Sequence, residues 1–382
     1  MNWCQGVKAR LACGLVCLGV VTAGHAQSGL TLSEAGSQTG LGPYAHAGFQ
    51  AWSNGMPVLA MDGDWRRGYQ RREGTQRAYQ VAQAEAGVLW APEFAGRTWP
   101  MALGAVVRAQ ALAMASGEAA QVVYHYQSQT DPEQPGRYDG RTHVLSWVGR
   151  GLAWRLNPLS SGPLQMELGW QWLTLTRVRD VATAGQAAYN ADGSYDFDVS
   201  VRHDRSGFQP RYSRPPEPQG EGASLSLAWL WRATPQLTMS LKLDDLWSRL
   251  RWQGLNGDDA VASSNVATRT PDGYLDYQPV VQGQYTRRGF SHSIPATVDV
   301  TALWHAGPGT AMVNLNRRWG LQQAWLGWRS LGTWRWQAAV EPWAQAWQLG
   351  LDAGGFSARF QTDRLDQAAH VRSWTLGYTW QR

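Results

Sequence analysis

Residues 163–178, P-L-Q-M-E-L-G-W-Q-W-L-T-L-T-R-V, constrain the fold of this chain more than any other stretch. Met166, Leu168, Trp170 and Trp172 share one parity, and Gln165, Glu167, Gly169 and Gln171 share the other. A strand turns successive side chains to opposite faces, so the segment has one apolar, aromatic face and one wet face. A soluble sandwich would fill the apolar face with Val, Ile and Leu. Trp has an apolar body and a polar N–H, and it settles at a membrane–water boundary. The chain holds 23 Trp, and the alternation returns along most of its length. It predicts strands whose oily side meets lipid.

The N-terminus reads as an export signal over 1–26. Lys8 and Arg10 precede an apolar run at 11–23, and Gly24-His25-Ala26 is a small-x-small cleavage site. The run is too short to cross a bilayer of about 30 Å as an anchor. All 3 cysteines (Cys4, Cys13, Cys17) lie in this segment, and neither Cys13 nor Cys17 closes the run as a lipidation site would. Residues 27–382 therefore have no disulfide, no thiolate metal ligand and no cysteine nucleophile.

Beyond the signal no apolar run approaches the length of a transmembrane helix. A mean hydropathy of −0.39 is compatible with a barrel, because alternation hides the apolar residues and polar loops lower the average. The net charge of +5 drops by two when Lys8 and Arg10 leave, and Lys242 is then the one lysine among arginines. Arginine suits phosphate, which lipopolysaccharide carries in quantity, although GC-rich coding would give the same composition. The basic residues are dispersed, which argues against a nucleic-acid partner.

Three regions are expected: the signal over 1–26, an N-terminal segment over 27–76 forming either a plug or the first strands, and a barrel over 77–382. Period-two rows recur at 78–90, 101–113, 195–202 and 297–304. Residues 143–156 switch apolar parity around Gly149-Arg150-Gly151, which predicts a bulge or turn. Residues 223–243 read as a hairpin around Ala233-Thr234-Pro235. Long polar inserts at 127–142, 179–194, 203–221 and 254–296 read as outer loops, opposite short periplasmic turns. The fold class is all-β: a closed antiparallel transmembrane β-barrel of about 14–16 strands, in a compartment where such chains insert. No repeat of 40–50 residues supports a propeller.

The C-terminal segment carries Trp374, Leu376, Tyr378 and Trp380 in one row. It resembles the recognition strand of bacterial outer-membrane β-barrel proteins, which implies insertion by the barrel assembly machinery. Gln381 and Arg382 follow, so the in-phase final position is Arg rather than aromatic. Asp244-Asp245-Leu246-Trp247-Ser248-Arg249-Leu250-Arg251-Trp252, with the later Ile294-Pro295-Ala296-Thr297, resembles the long-chain fatty acid transporter superfamily. That resemblance implies an N-terminal plug, hydrophobic cargo and an apolar internal pocket.

Parity nominates Arg108, Glu167, Gln171, Asp196, Asp198, Arg202, Asp244, Arg249, Arg335 and Glu341 as pore-lining. It nominates Trp170, Trp172, Trp229, Trp231, Trp334, Trp336, Trp374 and Trp380 as membrane-interface anchors. Asp244 to Trp252 reads as a charged constriction or, preferably, as ion pairs bracing the wall. No catalytic, cofactor or metal residues are assigned. Ser291 and Ser293 flank His292 but point to the opposite face of a strand, and no G-x-S-x-G elbow exists. Val201-Arg202-His203-Asp204 reads as wall rather than protease, and Asn256-Gly257-Asp258-Asp259 as a surface turn without calcium-loop spacing. The expected function is a non-enzymatic pore, transporter or export-associated channel. Its alternatives are a fatty-acid-transporter-like barrel, a closed scaffold or adhesin, and an outer-membrane hydrolase. The expected partners are outer-membrane lipid, lipopolysaccharide and the assembly machinery.

Overall fold

The computed structural model describes residues 41–59, 65–160, 162–207, 218–265, 267–269, 275–277 and 280–379. The signal segment, residues 27–40 and Trp380 to Arg382 lie outside that set.

Alternation becomes strand, and the strands close on themselves. The first arc comprises β1 (Gly42–Ser53), β2 (Thr75–Trp90), β3 (Met101–Ser116), β4 (Gly136–Leu159) and β5 (Leu164–Tyr189). It continues through β6 (Tyr195–Arg205), β7 (Gln219–Arg232), β8 (Leu237–Ser263), β9 (Val281–His292) and β10 (Thr297–Ala306). The return arc is β11 (Gly309–Arg318), β12 (Leu321–Ser330), β13 (Trp334–Glu341), β14 (Ala346–Ala353), β15 (Phe356–Thr362) and β16 (Val371–Thr379). β6 and β7 lie end to end between β5 and β8, and β9 and β10 lie end to end along the other side of β8. The wall is therefore a closed antiparallel barrel of 14 staves. β1 seals against β16 from Tyr44↔Thr379 to Trp52↔Val371. Residues 42–53 of the N-terminal segment are thus wall.

The rim holding both chain ends has short turns at 160–163, 233–236, 307–308, 331–333 and 354–355. At the expected hairpin, the Thr234 hydroxyl accepts from the amides of Gln236 (3.2 Å) and Leu237 (3.0 Å). The opposite rim carries the longer connections 54–74, 117–135 and 264–280. Several expected loops are strand instead. β4, β5 and β8 run for 24, 26 and 27 residues, whereas β13, β14 and β15 have 8, 8 and 7. The polar stretches 179–189 and 254–263 are the tall ends of staves. Both their faces are wet, so they lack an apolar parity. Asn256 to Asp259 lies inside β8 and is no turn.

A helix, α1 (Gly117–Ser128), tops β3; the Ser116 hydroxyl caps it by accepting from the Ala119 amide at 3.3 Å. It seats closely on β4 because Gly140 has no Cβ; one built there would stand 2.6 Å from the Ala119 methyl.

The seam is pinned at the upper rim by the turn 363–370. Val58 N–H donates to Ala369 O at 2.8 Å and Ser53 N–H to His370 O at 2.9 Å. Asp363 accepts from the amides of His370 (3.0 Å) and Val371 (3.0 Å). Burial would raise this carboxyl, but the His370 ring and those two amides hold it below the usual carboxylate range. A depressed folded pKa means the contribution is present above the unfolded value, about 3.9, and is lost as pH falls through the folded one. Asp363→Asn is therefore expected to loosen this turn by roughly 1.5–3 kcal/mol at neutral pH. The Val371 amide should exchange faster in the variant at pH 7 but at nearly the parent rate in strong acid. Equal rates at pH 7 would remove the claim.

Candidate functional site in the barrel lumen

In β3, Ala102, Val106, Arg108 and Gln110 are buried while Leu103 and Val107 are exposed, so even positions face inward despite the alanine content. In β5, Glu167 is buried and Trp172 exposed, and alternation puts Gln171 inside with the first and Trp170 outside with the second.

Within the lumen lies a cavity of about 220 Å³, and most of the side chains that shape it are polar. Tyr44 donates to Glu85 at 2.6 Å, Arg155 donates to the other oxygen at 2.6 Å, and the Arg155 Nε stands 3.9 Å from Glu167. Gly104 leaves room for this: a Cβ there would meet the Tyr44 hydroxyl at 2.5 Å. Across the chamber Lys242 pairs with Asp244 at 2.8 Å, and Asp299 accepts from Asn314 (2.8 Å) and Asn316 (3.0 Å). Arg318 hydrogen-bonds Gln50 and lies 5.6 Å from the Tyr79 ring centre.

Arg108 and Asp245 form a bidentate pair at 2.7 and 2.5 Å, joining β3 to β8 through the interior. Ser224 donates to the same carboxylate at 2.7 Å, and the guanidinium lies 5.6 Å from the Trp147 ring centre. Asp245 can reach inward because β8 bulges: its register against β7 slips between Leu243 and Trp247, and Asp245 takes a φ of 55°.

Two apolar clusters also line the inner wall, the second of them bordering this same cavity. The larger includes Leu145, Trp147, Leu173, Leu175, Leu250 and Trp252, all 4% exposed or less. The second gathers Trp52, Tyr79, Leu112, Met312 and Trp325. Above the larger cluster the tall wall carries inward charges. Asp180 binds His143 (2.6 Å) and Arg202 (3.0 Å), while Arg288 bridges Asp204 (2.9 Å) and Asp259 (2.6 Å). A cavity of about 710 Å³ opens beside them, lined by Met114, Ala182, Ala184, Arg202 and Val261 among others.

Of the residues nominated for the pore, Arg108, Glu167, Gln171 and Asp244 line the lower cavity. Arg202 faces the upper one, and Asp196 and Asp198 continue its inward parity. Arg335 shares the inward parity of β13, and Glu341, 2% exposed, accepts from the Ala344 amide to hold a turn. Arg249 is a correction: it is exposed on the outer face, in register with Ala223 and, beyond it, Trp172. The bulge at 244–246 adds two residues and keeps even positions inward, from Lys242 and Asp244 to Ser248, Leu250 and Trp252; what changes there is which face is apolar. Trp170, Trp172, Trp229, Trp231, Trp334, Trp336 and Trp374 all stand on the outer face; Trp380 lies outside the described residues.

Sequence reasoning missed the inner apolar cluster. The parity switch at 149–151 is not a turn of β4: odd positions stay inward throughout, with Leu145 and Trp147 inside and Leu152 and Trp154 outside. What changes is which face is apolar. A register slip does lie at Val148/Gly149, its extra residue in β5. His203 stands 3.6 Å from Asp258, and His292 stacks on Phe290 inside while Ser291 pairs with outward Arg251. Neither histidine hydrogen-bonds a nucleophile. Among the described residues no three His, Asp or Glu groups are placed to hold a metal.

Neither a protein-family model nor a curated protein matches this sequence. Among solved structures, the chain is similar to the Ralstonia pickettii toluene transporter TbuX, at 8% identity and a TM-score of 0.33 over 94% of this chain and 95% of that one. It is also similar to the Pseudomonas putida toluene transporter TodX, at 8% identity and 0.34 over 94% and 93%. A third is the TodX deltaS2S3 mutant monoaromatic hydrocarbon channel, at 7% identity and 0.35 over 94% and 95%. Likenesses of that size fix neither cargo nor mechanism.

Proposed function

We propose that this chain is an exported outer-membrane β-barrel that passes or carries a small solute through its lumen, without catalysing a reaction. The observation behind this reading is an inverted protein. Charged and amide side chains are buried inside, while Trp172, Trp231, Trp334 and Trp336 are 55, 49, 62 and 61% exposed outside. Soluble monomers rarely show a contiguous apolar exterior of this extent. A closed barrel satisfies its backbone internally, which is the condition for standing in lipid. In this reading the rim with both chain ends is periplasmic, the long connections face outward, and the outer Trp residues anchor the depth. The assembly machinery engages β16, and outer-membrane lipid with lipopolysaccharide surrounds the wall.

The lower chamber presents both signs of charge, with Arg155 and Lys242 against Glu85, Glu167, Asp244 and Asp299. Such a lining suits a solute rich in hydrogen-bonding groups rather than a bare hydrocarbon. A second reading, carriage of an apolar solute, is favoured by the clusters around Trp147 and Trp325. Planar-bilayer current and liposome swelling with the purified chain test the first; copurifying lipid or alkane in mass spectra would support the second. A chain that enters bilayers yet passes no ion or sugar is a closed wall, and the channel reading is then lost.

Orientation toward lipid makes its own prediction. Leu349 is 55% exposed on the outer face of β14, and Leu349→Arg is expected to cost roughly 2–4 kcal/mol in lipid-embedded unfolding. Gln171→Arg, placed in the polar cavity, should cost under about 1 kcal/mol. Equal costs would mean that the outer face is not in hydrocarbon.

A further inference from the structure

The strand registers allow the outer surface of the tall wall to be read row by row. Trp154, Trp170, Leu225 and Trp247 are register partners across β4, β5, β7 and β8 and form one apolar row, with Trp170 stacked on Trp247 at 5.7 Å. The next row upward is Leu152, Trp172, Ala223 and Arg249. Above it come Arg150, Thr174, Glu221 and Arg251. Then Arg177 stands opposite Val148, and Arg179 and Arg287 occupy a row with Ser146 and Asn256. Within a few rows the exterior changes from indole and leucine to arginine.

Arg150, Arg177, Arg249, Arg251 and Arg287 are exposed and Arg179 is half-buried. None of the six pairs with a carboxylate among the described residues, and Glu221, in their midst, forms no ion pair either. Six cations held on a rigid sheet repel one another unless an anion comes between them. Their position directly above an aromatic row is the level of lipid headgroups, if the barrel stands in a membrane as proposed. They also lie toward the rim of the long connections, which that reading places in the outer leaflet.

We propose that this outward arginine patch, centred on Arg150, Arg249 and Arg251, is a binding site for the phosphorylated glycolipid of the outer leaflet. Its guanidinium groups grip the headgroup phosphates while Trp154, Trp172 and Trp247 lie along the acyl chains. Guanidinium forks match phosphate oxygens bidentately, which a lysine ammonium cannot do. The inference rests on the barrel reading and adds an attachment site outside the lumen.

The test is native mass spectrometry of the full chain in detergent. It is titrated with bis-phosphorylated lipid A and with lipid A stripped of its phosphates. The expected result is saturable binding of the phosphorylated form alone, weakened by salt. With roughly fivefold lost per arginine, the triple variant Arg150→Gln/Arg249→Gln/Arg251→Gln is expected to bind about 100-fold more weakly. The corresponding Lys variant should fall between, and Arg97→Gln, in the connection from β2 to β3 at the rim of the chain ends, should bind like the parent. Equal binding of the two lipids, or parental affinity in the triple Gln variant, overturns the site. Should the Gln variant fail to fold, the phosphate and salt dependence of the parent and the Lys variant decide. Partition of the parent into detergent, measured alongside, separates the two claims. A chain that partitions but ignores the phosphates loses only this site, whereas one that stays aqueous loses the barrel reading.

Discussion

Asp245→Ala is expected to be the most damaging single change in the lumen. Its carboxylate is 3% exposed, and it accepts both forks of Arg108, itself 7% exposed. Removing it strips a buried guanidinium of its bidentate partner and leaves the Trp147 face beside it, which costs roughly 3–5 kcal/mol. The sign reverses if both charges go, because well-packed apolar residues can replace a buried pair at little cost. Arg108→Met/Asp245→Leu should therefore recover most of the loss. Urea midpoints in micelles and heat-modifiability on gels provide the measurement. If single and double variants are equally unstable, the pair contributes shape rather than charge. The same variants report on passage, since this pair ties β3 to β8 through the interior. Bilayer current should rise in the double variant even where stability has returned.

Trp252→Ala is the second. The indole is 1% exposed and sits over Gly220, where a Cβ would approach its ring to 2.5 Å. It packs in the cluster with Trp147, Leu173, Leu175 and Leu250. Truncation removes the transfer energy and leaves a hole, together about 3–5 kcal/mol. A void on the inner wall also widens the route, so conductance or solute flux should rise several-fold over the parent. Trp231→Ala, on the outer face, removes an indole of equal size and should leave flux unchanged. If the two variants conduct alike, the inner cluster is not a barrier and the constriction lies elsewhere.

These variants also show what could be read from the chain and what could not. The outer face was legible because lipid-type rows have a strict period of two: Trp170 and Trp172, Trp229 and Trp231, and Trp334 and Trp336 stand outside as the alternation predicts. The cluster behind Trp252 was hidden by that same rule. Parity separates two faces but does not say which is inside. Where Leu145 and Trp147 line the interior and Leu152 and Trp154 the exterior of one strand, the pattern imitates a bulge. Arg249 failed for the same reason: the slip between Leu243 and Trp247 adds two residues and keeps the odd positions of β8 outward, while its apolar row passes from Leu241 and Leu243 outside to Leu250 and Trp252 inside. Arg108 kept its place because Leu103 and Val107, the apolar residues beside it, do stand on the outer face of β3. The ion pairs themselves were not legible, since Arg108 meets Asp245 across 137 positions of sequence. The tall ends of β5 and β8 were read as loops because water on both sides removes the contrast that periodicity needs.

The union of β1 with β16 has a consequence for how such a molecule is made. Its two partners lie at Tyr44–Trp52 and Val371–Thr379, near opposite ends of the chain. Until the final strand has been synthesised, the ring has two open edges with unsatisfied amides and carbonyls, each able to recruit a neighbour. Deleting 371–379 should accordingly yield an aggregating product rather than a smaller cylinder. A cell making this chain has to keep the nascent sheet apart from its siblings until the last nine-residue stave arrives.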